Sequence, residues 1–220
     1  MITLAIDAST YVGDVAVLDG ARLLAEESLA MKGADEERLM PAVAAVLARA
    51  SVVPKSIGRV VCGAGPGSFT SLRIAGAIAK GIATGIRCPL FAVPSMALIV
   101  GGADVKAGRY LVAIDALRVE FYVGLYDVGE DGSIAEIEPA KLVAAEAVEG
   151  VALEYGAAVI GPSPLAGAVR ANPRARAVAK LEALLSRGPV DVASWEPAYG
   201  RLAEAQVRWE SAHGRPLPVG

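Results

Sequence analysis

The residues best suited to chemistry in this sequence form a glycine-rich stretch, GAGPGSFTSLRI, at positions 63–74. Gly65 and Gly67 bracket a proline, which indicates a tight turn, and Ser68 or Thr70 could cap a following helix. Amide groups at such a helix start can bind a phosphate. The stretch lacks the lysine of GxxxxGK[ST] and does not match GxGxxG. Two interpretations stay open: an anion-binding loop, or glycines that let a strand and a helix approach closely.

Two aspartates that each follow an apolar strand form the second candidate group. Residues 4–19, LAIDASTYVGDVAVLD, align without a gap with residues 112–127, VAIDALRVEFYVGLYD, with six identities in sixteen positions. The alignment predicts two related halves that each open with a strand–turn–strand unit. It makes Asp7, with Ser9 close behind it, equivalent to Asp115. These carboxylates could organise a metal-bound nucleotide, or they could simply cap their own turns.

The elements that position these residues are predicted from apolar periodicity. In the first half we expect strands at 1–7, 14–18, 23–28, 57–63 and 90–93, helices at 35–50 and 70–85, and a short helix capped by Ser95. In the second half, after its opening strands, we expect helices at 146–155 and 176–187, a strand at 157–160 and a tail helix from about residue 201. The fold class is α/β, with two lobes at 1–104 and 105–220 that each contain a mixed sheet opening with a β-meander and flanked by helices.

The helices predicted at 35–50 and 70–85 carry more apolar surface than one sheet can cover. In the second of them the charged stripe around Arg73 and Lys80 is narrow, and bulky apolar residues cover an arc of roughly 160°. We expect a helix-on-helix protein interface here. The alternative is that the two helices pack on each other within one subunit.

Composition narrows the function classes. The net charge of −3 predicts no basic face, so independent high-affinity binding to nucleic acid is not expected. His213 is the only histidine, which argues against histidine-pair metal sites and against a Ser-His-Asp triad. Cys62 and Cys88 lie in apolar stretches and suit buried free thiols in a cytoplasmic protein. No window approaches the roughly 18 apolar residues of a membrane span.

Four segments, IDAST, RLMPAV, GPGSFTSLRI and AIDALRVEFY, resemble the TsaB (YeaZ) family of the bacterial machinery that places threonylcarbamoyl on tRNA adenosine. The resemblance covers residues 1–127 and then only a Pro-x-Tyr at Pro197 and Tyr199. It implies an actin-like (RNase H-like, ASKHA) fold and a cytoplasmic scaffold without catalytic residues, metal or cofactor of its own. The implied partners are a catalytic TsaD-like paralogue and a TsaE-like ATPase. ATP and Mg²⁺ would be used by these partners, and tRNA would be reached only through the complex.

The resemblance also assigns residues to two surfaces. The partner interface would comprise Leu39, Met40, Val43, Leu47, Leu72, Ile74, Ala75 and Ile78, with a homodimer through the same helices as an alternative assembly. A vestigial nucleotide or anion loop would comprise Asp7, Ser9, Gly65, Gly67, Ser68, Thr70 and Asp115. Ala64 stands where many members have arginine, which weakens the anion-binding interpretation. Two rival functions are a small ATP-dependent kinase of the ASKHA superfamily and a peptidase.

Overall fold

Two five-stranded sheets of the same topology form the framework of the computed structural model, which describes residues 1–31, 37–200 and 213–214. The first sheet contains β1 (Ile2–Asp7), β2 (Val12–Asp19), β3 (Arg22–Ala30), β4 (Ile57–Gly63) and β5 (Leu90–Val93), in the order β3-β2-β1-β4-β5. The second contains β6 (Gly108–Asp115), β7 (Glu120–Val128), β8 (Ile134–Ala144), β9 (Ala158–Gly161) and β10 (Val169–Arg170), in the order β10-β9-β6-β7-β8. In each sheet the first three strands pair antiparallel and the last two add in parallel. This arrangement confirms the predicted fold class.

The strand register corrects the predicted repeat by one residue in its second strand. Asp7 pairs with Asp14 across the β1–β2 turn, whereas Asp115 pairs with Phe121 across the β6–β7 turn. The second turn is therefore one residue shorter than the first. Tyr122, rather than Val123, occupies the position equivalent to Val15, so the gapless alignment holds for the first strand alone.

Five α-helices cover these sheets: α1 (Leu39–Arg49), α2 (Phe69–Ile86), α3 (Ser95–Gly102), α4 (Val148–Glu154) and α5 (Glu182–Leu185) are those of the described residues. The helices α1 and α2 lie side by side on one face of the first sheet and share its core with β1, β2 and β4. Helix α4 covers the outer face of the second sheet. Between the sheets, α3 and the segment Ala175–Leu185 form a core common to both lobes.

Most predicted elements are confirmed, with differences at helix ends. The first helix begins at Leu39, because the Glu37 carboxylate accepts hydrogen bonds from the amides of Leu39 and Met40 ahead of the first turn. The helix predicted at 176–187 is instead a 3₁₀ helix, Ala175–Lys180, followed by α5. Positions 35 and 36, and the tail helix predicted from 201 apart from His213 and Gly214, lie outside the described residues.

A buried ionic cluster joins the two lobes. Asp14, on β2, has a fully buried side chain whose carboxylate accepts hydrogen bonds from Ser28 Oγ at 2.5 Å and from the amide of Ala175 at 2.7 Å. The guanidinium of Arg174 donates to both carboxylate oxygens of Glu26, at 3.0 and 2.5 Å, and lies 3.6 Å from Asp14. Burial raises the pKa of Asp14 to about 7. The cluster fixes the segment after β10 against the first sheet.

The chain finally returns from the second lobe to the first. Residues 190–200, which we call the strap, begin with a hydrogen bond from the amide of Val190 to the carbonyl of Leu90 at 2.8 Å. Trp195 packs on the core beneath α1 and α2, and Pro197 is buried. The strap therefore covers part of the first lobe although it comes late in the sequence, while the predicted lobe division at 104 and 105 falls between α3 and β6.

Candidate functional site

Three amides of the glycine-rich loop donate hydrogen bonds to the protein itself. The amide of Ala64 donates to the carbonyl of Val93 at 2.8 Å, and the amide of Gly65 donates to Ser95 Oγ at 2.9 Å. The amide of Ser68, at the start of α2, donates to the carbonyl of Ser9 at 2.7 Å. These three N–H groups are the kind that a phosphate would require, and protein acceptors already hold them.

Asp7 lies at the end of β1 and is fully buried. Its Oδ1 accepts hydrogen bonds from the amide and the hydroxyl of Ser9, at 2.9 and 2.8 Å, and its Oδ2 accepts from Ser95 Oγ at 2.5 Å. Burial raises the pKa of Asp7, against the lowering effect of its hydrogen bonds from Ser95 and Ser9. The carboxylate is therefore buried and already accepts hydrogen bonds from two serines, one of which also holds the loop.

The glycines of the loop are required by close contacts within the protein. A Cβ at Gly63 would stand 1.8 Å from Asp7 Oδ2, and one at Gly67 would stand 2.0 Å from the carbonyl oxygen of Ser9. Gly65 has a φ of +89°, and its Cβ would stand 2.5 Å from the carbonyl oxygen of Ala198. The geometry therefore favours the interpretation in which glycines let the strand, the helix and the strap approach closely.

The remaining predicted loop residues do not converge on one point. Ser68 occupies the N-cap position of α2, but its hydroxyl contacts Ser71 Oγ at 3.1 Å and makes no capping bond. Thr70 is exposed. Asp115 is exposed in the second lobe, where its Oδ1 accepts from the amide of Leu117 at 2.7 Å as an Asx turn does.

Ser95 is a residue of this site that the sequence reasoning missed, since it was expected only to cap a short helix. It is instead the first residue of α3, and its hydroxyl connects Asp7 to the amide of Gly65. A serine after a strand and a proline suggests a cap, and nothing in its spacing indicates a bond to a carboxylate 88 residues earlier. Asp14 was missed as well, although an aspartate within the apolar strand VGDVAVLD was an available signal.

Burial corrects the predicted interface for five of its eight residues. The buried five are Leu39, Val43, Leu47, Leu72 and Ala75. Leu39, Val43, Leu47 and Ala75 pack in the core of the first sheet, and Leu72 lies beside Gly65 of the loop, so these side chains are covered by the subunit itself. Apolar periodicity identifies the buried side of a helix but does not tell its own sheet from another chain. Met40 is 45% exposed, and Ile74 and Ile78 are half-buried, so these three stay accessible.

The outer sides of the same two helices form a second surface. We call it the α1/α2 face and define it by Met40, Pro41, Ala44, Ala48, Ile74, Ala77, Ile78 and Gly81. Neither helix contains an acidic residue. The exposed charges bordering the face are the arginines at 38, 49, 73 and 87 and the carboxylate of Glu37, and Arg49 is paired with Glu27 at 2.8 Å. The face is therefore apolar, and its border carries more basic than acidic side chains.

Other groups with catalytic potential are buried or isolated. Burial raises the pKa of the Cys62 thiol, and Asp7 adds to the effect. The described residues contain no group of three or more His, Cys, Asp and Glu side chains that could hold a metal ion. Within residues 1–31, 37–200 and 213–214, none of the helices combines the length and apolar character that crossing a bilayer requires.

Comparisons with known proteins agree on one family. Residues 30–175 match the family model of TsaD, tRNA N6-adenosine threonylcarbamoyltransferase. The chain is 29% identical over 227 residues to the tRNA threonylcarbamoyladenosine biosynthesis protein TsaB of Bacillus subtilis, covering 95% of this chain and 98% of that protein. It is 34% identical over 134 residues to TsaB of Escherichia coli, covering 60% and 58% of the two chains.

Solved structures agree with the sequence relatives. YeaZ from Pseudomonas aeruginosa superposes with a TM-score of 0.76 at 28% identity, covering 90% of this chain and 99% of that one. A second Pseudomonas aeruginosa structure, described as similar to peptidase YEAZ, superposes with a TM-score of 0.77 at 27% identity, covering 91% and 99%. The two lobes are therefore actin-like, and the chain belongs to the TsaD family of tRNA N6-adenosine threonylcarbamoyltransferases and is a homologue of TsaB and YeaZ.

Proposed function

We propose that this chain is a catalytically silent subunit in tRNA threonylcarbamoyladenosine biosynthesis, and that it supports a TsaD-like catalytic relative by binding it through the α1/α2 face. The observation that carries the proposal is the chemistry of this face, which is apolar and exposed on two adjacent helices without any acidic residue. Met40 is 45% exposed, so covering the rest of its side chain contributes roughly half of the 1.5–3 kcal/mol that full burial provides. Exposed apolar surface of this kind favours a protein partner.

The face also indicates what the partner surface must contain. Small residues at positions 44, 48, 77 and 81 allow a partner helix to approach toward the short end of the roughly 8–10 Å range of helix spacings. The bordering arginines favour acidic residues around the partner's apolar centre. A second copy of this chain has the same basic border, so charge favours the heterodimer over the homodimer.

The hydrogen bonds of the loop support the absence of chemistry in this subunit. An ASKHA kinase would need free loop amides and a metal-binding carboxylate, whereas the amide of Gly65 and the carboxylate of Asp7 are both held by Ser95. We therefore propose that ATP and Mg²⁺ are bound by the partner subunits, including a TsaE-like ATPase. The net charge of −3 supports contact with tRNA only through the complex. We propose the cytoplasm as its location because relatives of this chain take part in tRNA modification.

The test compares two exposed helical alanines. Ala77→Asp places a carboxylate at the centre of the α1/α2 face, and Ala183→Asp places one on α5, away from that face. Binding of each variant to the purified TsaD-like partner is measured by calorimetry. We expect Ala77→Asp to weaken binding by at least about tenfold, because the interface would bury an unpaired charge, and Ala183→Asp to bind as the wild type does. Equal binding by the two variants would rule out the α1/α2 face as the interface.

A further inference from the structure

The strap packs on α2 and the glycine loop through four residues near its end, Trp195, Pro197, Ala198 and Tyr199. Lys80 Nζ donates to the carbonyl of Trp195 at 2.9 Å, and the amide of Ala198 donates to the carbonyl of Ala64 at 2.7 Å. The rings of Tyr199 and Phe69 lie 4.5 Å apart between centroids. The strap thus contacts both the loop and the part of α2 from Phe69 to Lys80.

One glycine of α2, Gly76, directly contacts the strap. A Cβ at Gly76 would stand 3.1 Å from Pro197 Cγ and 3.7 Å from the Trp195 ring. Gly81 and Gly85, in the same helix, would have nothing within 4 Å of an added Cβ. Each glycine in a helix interior costs roughly 1 kcal/mol relative to alanine, so α2 depends more than most helices on packing.

The strap borders the α1/α2 face on the helix surface. Gly76 and Lys80 contact the strap, Ala75 and Ala79 contact the sheet, and Ala77 is exposed. At 100° per residue, Lys80 lies about 40° and Ala77 about 100° around the helix axis from Gly76, so the outer face begins beside the stripe that contacts the strap. Strap, outer face and sheet therefore divide the circumference of α2 among them.

We infer that the strap acts as a built-in ligand of α2 and the glycine loop, and that its docking holds α2 in the conformation that presents the α1/α2 face to the partner. This inference rests on the proposed function for the identity of that face. When the strap is docked, its contacts add to those of the sheet and compensate for the glycines of the helix. When the strap is released, α2 is held only by its contacts with the sheet and with α1. The free energy of partner binding must then also offset the entropy lost when α2 becomes ordered.

The experiment uses the full chain with two substitutions that displace the strap and two matched controls. Gly76→Val puts methyl groups where Pro197 lies, and Gly85→Val puts them in open space near the end of the same helix. Lys80→Met removes the bond to Trp195, and Lys55→Met alters an exposed lysine on a different element. Hydrogen exchange reports strap docking at the Ala198 amide and helix order at the amides of Ala79 and Lys80. Calorimetry measures the affinity of the α1/α2 face for the TsaD-like partner.

We expect Gly76→Val and Lys80→Met to speed exchange at Ala198 and in the middle of α2, and to weaken partner binding by about tenfold for Gly76→Val. The control variants, Gly85→Val and Lys55→Met, should leave exchange at Ala198, exchange in α2 and partner affinity at wild-type values. Wild-type exchange at Ala198 in both strap variants would overturn the inference, because those contacts would then not hold the strap. Faster exchange at Ala198 with unchanged α2 exchange or unchanged affinity would also overturn it, since the strap would be a passive appendage.

Failure of the proposed function gives a different result. If the wild-type chain does not bind the TsaD-like partner, the proposed interface is wrong, whereas the exchange data still decide whether strap and α2 are coupled. If the wild type binds and Gly76→Val releases the strap without loss of affinity, the interface stands and the inferred coupling is wrong.

Discussion

Replacing Asp14 by asparagine should remove a pH dependence of stability that the buried cluster between the lobes creates. Burial raises the pKa of Asp14 from 3.8 to about 7, so the folded protein binds a proton there that the unfolded chain releases. The stability from this group is fully present below pH 3.8 and is lost as pH rises through about 7. At about 1.4 kcal/mol per pKa unit, the shift corresponds to a loss of roughly 4 kcal/mol.

Glu26, Arg174 and Arg176 also face this cluster, and they do not produce the same trend. Burial alone would raise the pKa of Glu26, but hydrogen bonds from Arg174 hold it below its ordinary value. The stability that Glu26 contributes is therefore present above its ordinary pKa and is lost toward lower pH. Arginines stay charged throughout this range. Burial also raises the pKa of Asp7, which gives a decline of the same sign, so Asp14 is identified by the difference between the wild type and an Asp14 variant.

The assay is urea unfolding of the wild type and of Asp14→Asn at several pH values from 4 to 8. Subtracting the two free energies of unfolding cancels the groups that the proteins share, and the difference should fall by up to about 4 kcal/mol with rising pH. Asp19→Asn serves as the control, because the pKa of exposed Asp19 is lowered by its hydrogen bond with the N-terminus and its contribution is lost toward low pH, the opposite direction to that of Asp14. A difference that is constant or rises with pH would refute the reasoning.

Three further predictions concern the loop and α2. Urea titrations should show that Gly81→Ala raises the free energy of unfolding by about 1 kcal/mol. Gly76→Ala should raise the free energy of unfolding by less, because the added Cβ contacts Pro197. Ser95→Ala should lower the free energy of unfolding by roughly 2 kcal/mol, since Asp7 and the amide of Gly65 lose their common partner. As a control, Ser56→Ala at an exposed position should change the free energy of unfolding by less than about 0.5 kcal/mol. Calorimetry with Mg-ATP should give no binding to the isolated chain, and micromolar binding would favour the kinase alternative.

The order of strands and helices could be predicted because it depends on local sequence patterns. The meander of β1 to β3, the strand Leu90–Val93 and the helix after the glycine loop follow from alternation, turn residues and helical periodicity. Strand register was less accessible, because a gapless alignment cannot reveal that the β6–β7 turn is one residue shorter than the β1–β2 turn. The side of a helix that meets its own sheet was also not readable from apolar spacing alone.

The site depended on contacts between distant parts of the chain. Glycine composition at 63–67 was compatible with a phosphate loop and with close packing, and only the positions of Ser9, Ser95 and Ala198 distinguish the two. Each of these partners comes from a different element. The sequence also predicts that α2 carries more apolar surface than its own sheet covers. Part of that surface is covered by the strap, which lies more than 100 residues later in the chain.

The most direct test of the account measures threonylcarbamoyladenosine formed in tRNA by the reconstituted partner proteins with variants of this chain. Asp7→Asn disables any carboxylate chemistry at the loop, whereas Ala77→Asp disturbs only the α1/α2 face. A silent scaffold predicts that Asp7→Asn, verified as folded by circular dichroism, supports modification at the wild-type rate, and that Ala77→Asp supports little. Loss of modification with Asp7→Asn, together with full activity of Ala77→Asp, would show that the loop performs chemistry and would contradict the account.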